Sequence, residues 1–224
     1  MLNISGIEID VRKKRIKNMH IRVKAPDGRV TVSAPLSMSD ATIEHFVRTK
    51  IDWIQRQIAI FESQLHRSAR EYATGETLYV WGKPYRLQTE QGSKFSLALS
   101  GNAAILTARI NSTVEQRERY VREWYREQLK AKIALLLPKW ETITGLNAAS
   151  WQTKYMTTRW GTCNTSTGKI WLNVQLAKKP QECLEYVILH ELAHLVERRH
   201  DAKFTALLDR YMPTWREVKA TLNA

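Results

Sequence analysis

Two histidines and a glutamate near the end of the chain have the residue types and spacing of a metal-dependent hydrolase. His190, Glu191 and His194 form the motif His-Glu-x-x-His. On an α-helix, residues i and i+4 lie about 6 Å apart along the axis and nearly on one face. His190 and His194 can therefore both present a ring nitrogen to one metal ion, while Glu191 reaches a metal-bound water. This arrangement predicts a zinc ion that activates water, with Glu191 as the general base.

The residues around this motif favour a buried helix. Glu191 is the one charged residue between positions 186 and 196, and most of the others are apolar. Polar groups inside such a helix need hydrogen bonds or a ligand to offset their burial. The competing interpretation is a surface helix whose histidines have no shared role, and the apolar flanks argue against it.

A third histidine, His200, adds a structural requirement. On an unbroken helix it would lie about 9 Å beyond His194 and about 240° around the axis, too far away to bind the same metal. The helix must therefore end between about residues 196 and 199. That segment contains no glycine, so a left-handed residue there would cost roughly 1–2 kcal/mol, which metal binding could offset. Asp201 is well suited to cap the next helix. The alternative third ligand is a carboxylate, from Asp201, Asp209 or Glu217.

Other polar and aromatic residues could complete a catalytic site, and the sequence does not choose among them. A hydrolase often uses a second donor to stabilise the oxyanion. The candidates are Arg159, Tyr155 and Tyr211, each with the alternative of an ordinary packing or surface role. Trp160 and Gly161 are predicted to form a tight corner that borders the cleft.

The charge balance favours acidic partners. The chain has 35 basic and 22 acidic residues, a formal net charge of +13 and a pI near 9.9. Its densest basic run is residues 12–17. Nucleic acid, acidic proteins and anionic surfaces all fit such a balance. The alternative is a solvated basic surface that only keeps the protein soluble.

The same composition predicts a cytoplasmic protein with no membrane segment. The first residues lack the apolar run of a signal peptide, and no stretch approaches the length of a transmembrane helix. The two cysteines, Cys163 and Cys183, form neither a disulfide framework nor a CxxC site. Cys163 has no base beside it in sequence and is predicted to be a packed side chain. The sequence leaves the oligomeric state open.

Alternation of apolar and polar residues predicts three short strands in the first 35 residues. They cover residues 7–11, 19–23 and 30–32, with a turn at Pro26-Asp27-Gly28 between the last two. Asp40 is then predicted to cap one long helix with an apolar stripe of period 3.6. The stripe comprises Ile43, Phe46, Val47, Ile51, Ile54, Ile58 and Leu65.

Residues 76–108 return to the strand pattern, with hairpin turns predicted at Gly82-Lys83 and at residues 100–102. Ser112 and Glu115 have the spacing of a capping box, which predicts the start of a long helix.

Pro138 is predicted to end or kink that helix. Strands are then expected at residues 151–157 and 169–174, and Pro180 suits the first turn of the metal-binding helix. A boundary near residue 111 would separate a strand-rich N-terminal region, residues 1–111, from a metal-binding region, residues 112–224.

A series of motifs follows in order along the second half of the chain. They are Arg159-Trp160-Gly161-Thr162-Cys163, Ile170-Trp171-Leu172-Asn173, Pro180, residues 186–194, His200 with Phe204, and Pro213-Thr214-Trp215. The first half adds a basic strand pair, Trp53-Ile54 and the run from Tyr79 to Tyr85. Together they closely resemble the YgjP-like metal-dependent hydrolases of bacteria, which are related to SprT-like and WLM metallopeptidases. Thr162 stands where the family commonly has Ser, and the hydroxyl is kept.

The resemblance implies an α+β, zincin-like metallopeptidase fold with the HExxH helix beside a small antiparallel sheet. It implies zinc held by His190, His194 and His200, with Glu191 as general base. It also implies a strand beside the active helix that pairs with an extended peptide substrate. In this chain that strand would be residues 151–157 or 169–174.

The predicted function is therefore zinc-dependent hydrolysis of peptide bonds in a peptide or protein substrate. A different class of function is a nucleic-acid-associated module with structural zinc and a basic binding surface. A combined form is a protease that acts on DNA-bound proteins. A structural zinc site is closed by four protein ligands, whereas a catalytic one keeps three and a water.

Overall fold

A computed structural model describes residues 2–24, 28–66 and 70–224, with the side chains of residues 60–66 left out. The chain divides into two compact units, Met1–Arg70 and Glu71–Ala224. The boundary predicted from sequence was near residue 111. It differs because the strands that follow Glu71 share one hydrophobic core with the helices of the second half.

The N-terminal unit contains a four-stranded mixed sheet. Its strands are β1 (Leu2–Ile4), β2 (Ile7–Lys14), β3 (His20–Lys24) and β4 (Arg29–Pro35). The order is β1-β2-β4-β3, with β2 and β4 parallel and the other pairs antiparallel. The three predicted strands are present, and β1 was missed. The Pro26-Asp27 part of the predicted turn lies outside the described residues.

Two helices, not one, follow this sheet. They are α1 (Asp40–Arg48) and α2 (Ile51–His66). Ser39, not Asp40, is the N-cap of α1, and its hydroxyl accepts the Thr42 N–H. Thr49 caps the other end, where its hydroxyl donates to the Phe46 carbonyl. The predicted stripe is largely buried against the sheet at Ile43, Val47 and Ile54, and the Leu65 side chain lies outside the described residues.

The C-terminal unit begins with a second four-stranded mixed sheet. Its strands are β5 (Thr77–Val80), β6 (Lys83–Gln91), β7 (Ser96–Ser100) and β8 (Ala103–Ala108), in the order β5-β6-β8-β7. The first predicted hairpin turn is shifted by one residue to Trp81-Gly82. Both residues have positive φ, 51° and 79°, as a two-residue type I′ turn requires.

The long helix α3 (Val114–Thr144) begins one residue later than predicted. The capping box is Thr113 with Gln116, because these two side chains exchange hydrogen bonds with each other's backbone N–H. Pro138 does not end the helix. Leu137 and Trp140 on either side of it remain packed in the core, and this packing outweighs the hydrogen bond that proline removes.

A three-stranded sheet and three helices complete the unit. They are β9 (Ser150–Lys154), β10 (Gly161–Asn164), β11 (Lys169–Asn173), a short 3₁₀ helix (Val174–Lys178), α4 (Gln181–Ala193), α5 (Ala202–Tyr211) and α6 (Trp215–Asn223). The sheet order is β10-β11-β9. The prediction of an antiparallel sheet is wrong for one pair, because β9 runs parallel to β11.

The fold class is α+β, as predicted, with six α-helices and three small mixed sheets among the described residues. In that part of the chain no helix combines the length and the apolar character needed to cross a bilayer.

Candidate metal centre

Helix α4 fixes the positions of His190, Glu191 and His194. It contacts β10, β11, α3, α5 and α6, so apolar side chains are buried around its circumference. They include Leu184, Val187, Ile188, Leu189 and Leu192. An all-round apolar helix is stable only when it is enclosed in this way. The three polar side chains are therefore held by a rigid core element.

The chain turns back after α4 without backbone strain. The helix ends at Ala193, slightly earlier than the predicted range of residues 196–199, and the Glu197 N–H closes a last turn on the Ala193 carbonyl at 2.9 Å. None of residues 194–200 has a positive φ, so the predicted left-handed residue is not used. Asp201 caps α5 as predicted, and its carboxylate accepts the N–H groups of Lys203 and Phe204.

This turn brings the three histidine rings together. The Nε2 atom of His200 lies 3.1 Å from Nε2 of His190 and 3.0 Å from Nε2 of His194. Three nitrogens bound to one tetrahedral zinc ion at 2.0–2.1 Å would lie about 3.3 Å apart. The two distances are slightly shorter than this value, and imidazole nitrogens are a donor type that binds such metals. The group of these three residues could hold a metal.

Phe204 supports the cluster from α5. Its ring centroid lies 4.9, 4.8 and 4.7 Å from the ring centroids of His190, His194 and His200 respectively. Only 3% of Phe204 is exposed. One buried aromatic ring therefore restrains the orientation of all three imidazoles.

One hydrogen bond indicates which nitrogen of His194 is free to bind a metal, and a lowered pKa indicates that His190 is uncharged. Nδ1 of His194 lies 3.0 Å from the Glu197 carbonyl oxygen. An N–H at this position donates to that carbonyl and leaves Nε2 as the unprotonated donor. Burial, followed by the charges of His194, His200 and Lys219, lowers the pKa of His190 to about 3. His190 is therefore neutral, as a metal ligand must be.

Glu191 is a buried carboxylate with unused hydrogen-bonding capacity. Only 4% of the residue is exposed, and its Oε2 atom has no hydrogen-bond partner within the protein. Burial raises the pKa of Glu191 to about 8, although the positive charge of Arg159 acts in the opposite direction. A buried carboxyl group without a hydrogen-bond partner lowers the stability of the fold. Its presence here indicates an interaction with water, metal or substrate.

Gly161 makes room for that carboxylate. A Cβ atom added at Gly161 would lie 2.6 Å from Glu191 Oε1 and 2.9 Å from Val187 Cγ1. Strand β10 thus approaches α4 more closely than a larger residue at position 161 would allow. The sequence indicated a corner at Trp160-Gly161 but gave no sign of this contact.

Replacing Gly161 with Ala is expected to lower the peptide hydrolysis that the sequence predicts by about 10²-fold, because the methyl group displaces the Glu191 carboxyl group and misplacement by about 1 Å can have an effect of that size. The overpacking should also destabilise the fold by about 1–3 kcal/mol. Cleavage rates and thermal melts measure the two effects. Gly101→Ala is the control for adding a methyl group, because a Cβ at Gly101 would have no atom within 4 Å, although its φ of 54° adds a backbone strain that Gly161 does not have. A loss of activity no larger than that of Gly101→Ala would contradict this role for Gly161.

Strands β10 and β11 both contact α4, so the predicted segment 169–174 lies beside the helix, but of these two strands only β10 is at an edge of the sheet. Residues 169–173 form the central strand of the sheet, and residues 150–154 form its far edge. The N–H of Asn173 donates to the Trp160 carbonyl. In the observed antiparallel register, Thr162 continues this pairing, so the backbone groups of Gly161 and Cys163 point away from β11. Among the described strands β10 has no second neighbour.

A cleft of about 600 Å³ runs over the cluster. It is bordered by residues 158–160, β10, α4, the turn after α4, and α6. Arg159 and Trp160 line it. Tyr155 and Tyr211 are not among its lining residues, and their hydroxyls donate to the carbonyls of Arg122 and Thr144 instead.

Sequence reasoning missed several residues that line the cleft. Tyr186 lies one turn before His190 and packs edge-on against it, and Arg198, Lys219 and Asn223 lie on the rim. The spacing of Tyr186 from His190 was the one signal available. Cys163 also lines the cleft, and burial followed by the charge of Glu191 raises its thiol pKa to about 11. The thiol is thus protonated at neutral pH, consistent with the predicted packed side chain.

Asn173 holds the loop that carries Arg159 and Trp160. Its side-chain amide donates to the carbonyls of Met156 and Arg159 at 2.9 and 2.8 Å, and its oxygen accepts the Met156 N–H. Only 3% of Asn173 is exposed. The end of the central strand therefore fixes the cleft wall opposite α4.

A comparison with known protein families identifies the family of this chain. A family model described as "YgjP-like, metallopeptidase domain" matches residues 17–224. The chain belongs to this family. As a YgjP-like metallopeptidase it is a metal-dependent peptidase, and its histidine cluster is a group able to bind the metal. The match begins in the N-terminal unit and runs through all of the C-terminal one.

Solved structures give a weaker likeness to this YgjP-like chain. One is the metallopeptidase zymogen abylysin of Pyrococcus abyssi, at 20% identity and a TM-score of 0.37, covering 39% of this chain and 89% of that one. Another is the metallopeptidase zymogen jannalysin of Methanocaldococcus jannaschii, at 23% identity and a TM-score of 0.36. This match covers 39% of this chain and 90% of jannalysin. These values do not establish a shared fold. A search of curated proteins gave no match.

Proposed function

We propose that this metallopeptidase uses zinc, with His190, His194 and His200 as the ligands and Glu191 as the general base. The observation that carries the proposal is the approach of His200 Nε2 to the Nε2 atoms of His190 and His194, at 3.1 and 3.0 Å, beside a buried carboxyl group with an unpartnered oxygen. Three imidazole ligands with a fourth position left for water would suit zinc better than magnesium or calcium, which prefer oxygen ligands.

Proton transfer and stabilisation of the oxyanion are assigned to residues of the chain. When bound, zinc would lower the pKa of a coordinated water and polarise the substrate carbonyl. The positive charge of a bound metal would lower the raised pKa of Glu191, so that its carboxylate accepts the proton of the attacking water and donates it to the leaving amine. Arg159 is the one of the three proposed oxyanion donors that lines the cleft, and its side chain is exposed to an incoming substrate.

An extended peptide would bind along β10. The outward N–H and C=O groups of Gly161 and Cys163 offer backbone pairing, which gives affinity without regard to sequence. Because Gly161 touches Glu191, pairing at Gly161 brings a peptide bond close to the general base. This strand replaces the two segments that the sequence suggested for the role.

The alternative of a nucleic-acid-associated module with structural zinc has no support in the family match. Structural zinc needs a fourth protein ligand, and the group of potential ligands among the described residues holds only the three histidines. Asp201, one of the carboxylates suggested above as a metal ligand, caps α5 instead. In the basic run, Arg12 and Lys13 are paired with Asp10 and Asp40. A cytoplasmic location remains a prediction from the sequence.

Removal of metal tests the proposal. Chelation of the purified full chain is expected to abolish cleavage of an unstructured protein substrate, and addition of about one equivalent of zinc should restore it. Zinc at 100 times its dissociation constant should also stabilise the fold by about 2.7 kcal/mol, measured as a rise in melting temperature. Full activity in a preparation shown by elemental analysis to be metal-free would contradict the proposal.

A further inference from the structure

The side chains that line the cleft have an unbalanced charge. Arg159, Arg198 and Lys219 are cationic, while Glu191 is the one acidic side chain among the described lining residues. Glu191 is buried, whereas the three cations are exposed. The mouth of the cleft is therefore positive, and a bound zinc ion would make its floor positive as well.

These cations come from three separate segments. Arg159 precedes β10, Arg198 lies in the turn between α4 and α5, and Lys219 lies on α6. They are far apart in sequence and lie on different elements, so the periodicity of one helix could not bring them together. The fold brings them together around the histidine cluster.

In the described part of the chain Arg198 and Lys219 have no carboxylate partner, and the one carboxyl group on which the charge of Arg159 acts is that of the buried Glu191. No ion pair within the described part of the chain involves any of them, and Nζ of Lys219 contacts only the face of Trp215, at 5.6 Å. Other cations in the same unit are paired, such as Lys139 with Glu185 at 2.9 Å and Arg126 with Glu123 at 3.1 Å. The positive charge of the rim is thus available to a ligand.

We infer that the cleft selects peptides that carry carboxylates close to the scissile bond. The inference rests on the proposed peptidase function and names its substrate class. A carboxylate that meets Arg198 or Lys219 forms a charge-assisted hydrogen bond, and the positive rim speeds its approach. The carboxylate can come from an Asp or Glu side chain or from the C-terminus of the peptide.

Binding to the zinc-loaded Glu191→Gln variant tests this selection without cleavage. The probes are fluorescent peptides with an amidated C-terminus and either Glu or Gln at the same positions, and a Gln peptide with a free C-terminus. The Glu peptide is expected to bind about 10-fold more tightly than its amidated Gln counterpart, and added salt should reduce this preference. A preference limited to the free C-terminus would assign the site to terminal carboxylates.

Charge reversal then locates the effect. Arg198→Glu and Lys219→Glu, each made in the Glu191→Gln background, are expected to reduce the preference by about 3- to 10-fold. Arg119→Glu changes the net charge equally at an exposed position outside the cleft and should leave the preference unchanged. Equal binding of all peptides, or an equal effect of Arg119→Glu, would overturn the inference.

Cleavage by the wild type separates this inference from the proposed function. Selective binding of the Glu peptide without cleavage of any peptide would contradict the peptidase mechanism but support the acidic preference. Cleavage of Glu and Gln peptides with the same kcat/KM, together with equal binding, would overturn the preference but support the mechanism.

Discussion

Glu191→Gln is expected to abolish peptide hydrolysis while leaving the metal bound. The carboxamide has the shape of the carboxylate but cannot accept the proton of the attacking water. Loss of a general base lowers the rate by about 10²–10⁴-fold. Because Glu191 is not a ligand in this account, zinc content should remain at about one equivalent, as measured by elemental analysis beside a cleavage assay.

The stability of this variant provides an internal control. Glu191 is a buried carboxylate with an oxygen that has no partner within the protein, so a neutral amide of the same size should not destabilise the fold. The melting temperature is expected to be unchanged or higher, which separates lost chemistry from lost structure. Cleavage at the wild-type rate would rule out Glu191 as the base.

His200→Ala is expected to weaken zinc binding by more than about 100-fold and to remove activity with it. Loss of a residue that only orients a metal ligand already lowers affinity 10- to 100-fold, and a direct ligand contributes more. His200 is exposed on the turn after α4, so the fold of the metal-free protein should remain intact. Zinc affinity measured by competition with a chromophoric chelator, together with circular dichroism, checks both parts.

The matched control is His20→Ala, an exposed histidine on β3 in the other unit, which should change neither zinc affinity nor activity. Unchanged zinc affinity in His200→Ala would transfer the third-ligand role to a carboxylate. The structure offers little for that alternative, because Asp201 caps α5 and Asp209 is paired with Arg216.

The sequence predicted the features of the site that depend on local chemistry. The motif spacing on α4, the cap at Asp201 and the need for a break before His200 follow from helix geometry and from hydrogen bonds between near neighbours. The end of α4 lay slightly outside the expected range because turns built from right-handed residues can reverse the chain without glycine. The capping box shifted by one residue because Ser112 and Thr113 offer the same hydroxyl.

Features that depend on distant contacts could not be predicted in this way. In the mixed sheet β9 pairs directly with β11, although β10 lies between them in the sequence. The period-2 alternation of a strand does not specify which strand it pairs with. Gly161 is needed because of a contact with Glu191, thirty residues away, and Asn173 is buried because it holds a loop that precedes it. The rim cations likewise meet only in the folded chain.

X-ray absorption at the zinc edge of the zinc-loaded chain tests the central claim most directly. We expect three imidazole nitrogens and one oxygen at about 2.0–2.1 Å from the metal, with no sulfur. In His200→Ala at saturating zinc, we expect the number of imidazole ligands to fall to two. A sulfur ligand at about 2.3 Å, which only Cys163 among the cleft residues could supply, or a fourth protein ligand in place of the oxygen, would indicate a closed structural site and contradict the account.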